Sequence, residues 1–152
     1  MTSYASVTRS ALFTNAWNNV YKTLSDHLTD PASRSGVKWI WSSFPVSAID
    51  NKTDYPFVVI DPINVTGSED YSFDKDVTGL SIAVSAFSVD PDELDTLCDD
   101  IIDEMYEQES NFRTYKMQVM STAGSSYLHE IKSKSFRVHA RTLRFNFKAE
   151  TT

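Results

Sequence analysis

The stretch that decides the fold begins with Leu80-Ser81-Ile82-Ala83-Val84-Ser85-Ala86-Phe87. After two residues it continues as Asp90-Pro91-Asp92-Glu93-Leu94-Asp95-Thr96-Leu97-Cys98-Asp99-Asp100-Ile101-Ile102-Asp103-Glu104-Met105-Tyr106. In the first part Leu80, Ile82, Val84 and Ala86 alternate with Ser81, Ala83, Ser85 and Phe87, the period of a strand with one apolar face and one largely small-residue face. In the second part the period lengthens. Leu94, Leu97, Cys98, Ile101, Ile102, Met105 and Tyr106 recur at three- to four-residue spacing and define the buried stripe of a helix. Its other sides carry Asp92, Asp95, Asp99, Asp100, Asp103, Glu104 and Glu107. The boundary has its own chemistry: Asp90 suits the N-cap, Pro91 the first helical position, and Glu93 completes a capping-box arrangement. Asp92 and Asp95 also suit the positive end of the helix dipole. Cys98 falls in the apolar stripe and is expected to be an inert core thiol.

Upstream, a first helix is expected from about Arg9 to His27. Leu12, Ala16, Val20, Leu24 and Leu28 recur every fourth position, and Phe13, Trp17 and Tyr21 widen the stripe, more in the manner of a core face than of a partner surface. Asp30-Pro31 and the polar run to Gly36 end it. Val37, Trp39 and Trp41 alternate with Lys38 and Ile40, which predicts a strand. Tyr55-Pro56-Phe57-Val58-Val59-Ile60-Asp61-Pro62 predicts another, buried on both faces by a helix and by a neighbour or a partner subunit. Ile63 and Val65 extend it past Pro62. Residues 66–78 are read as a solvated loop or a long hairpin tip. Their Asp70, Asp74 and Asp76 lack the spacing of a calcium loop, while Tyr71 and Phe73 suggest a docking surface.

Downstream, Tyr115 to Met120 reads as a strand and Thr122 to Ser126, around Gly124, as a turn. In the last strand Phe136, Val138 and Ala140 point inward, then Leu143, Phe145 and Phe147 do so one residue out of phase. That slip predicts a β-bulge near Arg141-Thr142 or a change of partner. Arg137, His139 and Arg141, then Arg144, Asn146 and Lys148, take the opposite positions. The expected fold is therefore α+β: one domain over 1–152, with short flexible ends at 1–8 and 149–152. A mainly antiparallel or mixed sheet of about five strands carries two amphipathic helices on one face.

The length of 152 residues matches one domain, and 41% hydrophobic content supports a core without metal or disulfide staples. Cys98 is the one cysteine, so no intrachain disulfide forms. No signal-like segment and no apolar run of membrane-spanning length are present, and no membrane partner is expected. The Asn51 and Asn64 triplets that match the glycosylation pattern are read as turn residues. The net charge of -7 is unevenly placed: residues 1–50 carry +1, residues 51–110 carry -14 and residues 111–152 carry +6. This polarity argues against general nucleic-acid wrapping. It suits pairing of acidic and basic patches either between copies or within one monomer.

No catalytic constellation emerges. His27, His129 and His139 are scattered, four glycines make no phosphate loop, and no nucleophile elbow is present. No enzyme activity, cofactor or metal is expected. The interface candidates are Tyr71, Phe73, Asp74 and Asp76 in the 66–78 segment, and Asp99, Asp103 and Glu107 on the acidic helix. On the basic strand they are Arg137, His139, Arg141 and Arg144. That strand could contact phosphate, pair with another subunit or face solvent.

The element order resembles that of the tail-terminator, or tail-completion, proteins of long-tailed viruses. The residues that carry the likeness are the opening helix Ala11-Leu12-Phe13 through Asp26-His27-Leu28 and the strand Tyr55-Pro56-Phe57-Val58-Val59-Ile60. They continue in Leu80 to Phe87, Asp92 to Tyr106 and the closing Leu143-Arg144-Phe145-Asn146-Phe147. The resemblance implies a virion structural protein assembled in the host cytoplasm and located in the tail or neck. It implies a homo-oligomeric, commonly hexameric, ring that caps the tail tube protein on one face and meets a neck or connector protein on the other. DNA would pass transiently through its lumen. The alternatives are a non-viral interaction or adaptor domain and, behind it, a small enzyme or nucleic-acid binder.

Overall fold

A computed structural model describes residues 3–45, 51–72, 75–129 and 136–150; over 67–72, 75–76 and 125–129 the backbone alone is described. A 3-10 turn, Arg9–Ala11, leads into α1 (Leu12–His27). Then follow β1 (Ile40–Trp41), a second 3-10 turn (Lys52–Asp54), β2 (Phe57–Ile60), β3 (Asn64–Ser72) and β4 (Lys75–Ser88). The chain ends with α2 (Pro91–Glu107), α3 (Glu109–Thr114), β5 (Met117–His129) and β6 (Val138–Glu150).

These elements form an α+β fold with one six-stranded sheet of order β1-β2-β4-β6-β5, in which β3 also pairs with β4. β2 and β3 lie end to end along the same side of β4, opposite Val84–Phe87 and Lys75–Ser81 respectively. Pro62 cannot donate to a ladder, which separates the two runs; Asp61 still donates its N–H to the Ala83 carbonyl at 2.9 Å. The β1–β2 pair is parallel and the other pairs are antiparallel. Residues 66–78 are therefore largely the two arms of a long hairpin rather than a loop.

Both helices cover one face of the sheet. Ala16, Val20 and Leu24 of α1 and Leu94, Leu97, Cys98, Ile101 and Met105 of α2 share a core with Leu80, Ile82, Val84, Leu143, Phe145 and Phe147. The α2 start is built nearly as expected. Asp90 accepts from the Asp92 N–H at 3.0 Å. Glu93 reaches the Ser88 hydroxyl at 2.9 Å, and that hydroxyl accepts the Asp90 N–H at 3.1 Å. The reciprocal link of the capping box thus passes through the buried Ser88.

A second, smaller core lies on the other face: Tyr55, Phe57, Val59, Phe87, Val138 and Ala140. This explains why β2 is buried on both faces, by residues of its own chain. It also corrects the bulge expected near Arg141-Thr142. β6 pairs with β4 from His139 to Glu150 without a register shift. The inward side changes along β6 because Val138 and Ala140 fill the small core on one face, whereas Leu143, Phe145 and Phe147 fill the large core on the other. The irregularity sits instead in β5, between Val119 and Ser121.

Other expectations change for equally local reasons. The turn around Gly124 is strand: β5 runs through it, and a Cβ there would meet Leu143 Cδ2 at 3.3 Å. The glycine serves close packing of β5 on β6 rather than a reversal. In the 37–41 segment only Ile40 and Trp41 pair as strand, Ile40 is the buried residue, and Val37 is 52% exposed. Phe13, expected in the α1 stripe, is 54% exposed. The α3 turn was not expected; it buries Phe112 against Phe147, with ring centroids 5.5 Å apart. The weakly patterned 131–135 stretch lies outside the described residues.

Within the segment read above as a flexible end, Tyr4–Val7 make specific contacts. Asn19, wholly buried on α1, accepts the Ala5 N–H at 3.0 Å and donates to the Ala5 carbonyl at 2.8 Å. Val7 N–H donates to the Tyr115 carbonyl at 3.0 Å, and Tyr4 stacks on Tyr115 at 5.2 Å.

Candidate functional site

The acidic candidates Asp99, Asp103 and Glu107 stand four residues apart on the outer side of α2, and all three are exposed. They form one charged stripe, away from the apolar face that seats α2 on the sheet. Tyr71 and Asp76 occupy backbone positions on β3 and β4 close to the hairpin tip, with side chains outside the described residues; Phe73 and Asp74 lie wholly outside them.

The basic candidates do not form one patch. Side chains alternate across a strand, so the uninterrupted register of β6 puts His139 and Arg141 on the helix face and Arg144 and Lys148 on the opposite one. Arg141 reaches α2 and pairs with Asp95 at 2.9 Å, with the two side chains 34% and 57% exposed. Part of the acidic–basic opposition is thus satisfied inside one chain. Exposed pairs of this kind contribute about 0–1 kcal/mol, so this one orients Arg141 more than it holds the fold. Arg137 is exposed and precedes β6.

Arg144, on the other face, donates to the Ser81 hydroxyl at 3.2 Å. Beside it Ser85 and Thr142 share a hydrogen bond of 2.9 Å. Burial raises the Asp61 carboxyl above its ordinary range, and the charge of Arg144 partly opposes that rise. The small-residue face of β4 is thus crossed by polar links within the chain. Cys98 is buried beneath α2, and that burial pushes its thiol up to about 11, out of reach as a nucleophile near neutral pH. Among the described residues no group of three or more His, Cys, Asp or Glu is placed to hold a metal ion.

Among the described residues, surface recesses also bear on binding. An apolar groove of about 530 Å³ runs between α1 and the β2–β3 junction, lined by Phe13, Thr14, Trp17, Asn18, Ser42, Pro62 and Ile63. A second recess, of about 330 Å³, opens where β5 begins and gathers Arg113, Lys116 and Lys148 around Met117 and Gln118. Sequence reasoning did not single out Arg113 and Lys116. Their signal was present in the +6 balance of residues 111–152, but the basic strand drew it to β6.

No protein-family model matches the chain, and no curated protein matches it. Among solved structures it is similar to a chain from the "Virion of native gene transfer agent (GTA) particle", at 9% identity and a TM-score of 0.46. The match covers 86% of this chain and 90% of that one. Agreement at that level is too low to argue fold or function from.

Proposed function

We propose that this chain is a structural subunit of a viral particle. Its copies close into a ring that terminates the tail tube and joins it to the neck while leaving a passage for DNA. The observation that carries the reading is the element order in its folded form. The opening helix, the Tyr55–Ile60 strand, the Leu80–Phe87 strand, the acidic helix and the closing strand lie in one sheet-and-helix layer pair, the layout the tail-terminator resemblance implies. The subunit works by presenting surfaces and performs no covalent chemistry.

The test is addition of the purified protein to tail tubes assembled without a terminator. Tubes that stop growing, with a ring of density at one end by electron microscopy, support the reading. Tubes that lengthen unchanged and carry no added density refute it and favour a non-viral adaptor, for which the groove beside Phe13 and Trp17 offers a docking surface.

A further inference from the structure

We draw no further inference here: the strongest candidate, the apolar groove between α1 and the β2–β3 junction beside Phe13, Trp17 and Ile63, is an unpartnered apolar surface, and nothing in the structure shows what covers it.

Discussion

Replacing Asn19 by Ala should cost far more than the same change one helical turn earlier. The Asn19 amide closes two hydrogen bonds on the backbone of Ala5, at 3.0 and 2.8 Å, from a wholly buried position. Each such bond is worth about 1 kcal/mol net, and stranding the Ala5 N–H and carbonyl adds to the loss. Alanine returns about 0.5 kcal/mol of helix propensity at either site. Asn15 makes a single exposed bond to the Ser6 carbonyl at 2.9 Å. Asn15→Ala should therefore be close to neutral and Asn19→Ala destabilising by about 2 kcal/mol. For a chain of this size that separates their melting temperatures by about 4–8 °C. Urea unfolding gives the free energies, and hydrogen exchange at the Ala5 and Val7 amides reports release of the N-terminal segment. Equal stabilities for the two variants, or unchanged protection at Val7, would refute the claim that Asn19 anchors that segment.

Four further outcomes follow from single residues. Arg34 holds both Asp30 carboxylate oxygens and the Asp54 and Pro56 carbonyls with one planar fork, so Arg34→Lys should lose about 2 kcal/mol in urea unfolding. Burial works to raise the Asp30 pKa, but hydrogen bonds from Arg34 and from the Ala32 and Arg34 amides outweigh it and leave it lowered. The stabilisation is therefore present above the unfolded carboxyl's pKa and lost as pH falls through the lower folded value; the advantage of wild type over Asp30→Asn should begin to shrink below about pH 4 and vanish only beneath the folded value. Gly124→Ala should change stability by no more than about 1 kcal/mol, because only the tip of Leu143 must yield and no left-handed backbone is required; a large loss would contradict its strand geometry. Cys98 should react with a thiol reagent at pH 8 only as fast as the protein opens, so labelling of the native protein faster than unfolding would contradict its burial.

The strand–helix passage from Leu80 to Tyr106 was legible because period, cap and charge all agree there. The double burial of Phe57–Ile60 was legible too, but its cause was not. A continuous apolar run shows that both faces are covered, without distinguishing a partner subunit from Phe87, Val138 and Ala140 of the same chain. The phase slip in β6 misled for a related reason. Alternation identifies the inward side only where one face is buried, and β6 passes from one core to the other. Gly124 was read as a turn because glycine marks both reversals and close packing. The Arg141–Asp95 pair depends on strand order, which local pattern does not encode.

A ring subunit must associate with its own copies. Native mass spectrometry and light scattering across a concentration series measure that association without assuming a partner. A finite species of several chains, six in the commonest ring, each of 17.2 kDa, is the predicted result. A 17.2 kDa monomer at every concentration and ionic strength would contradict it.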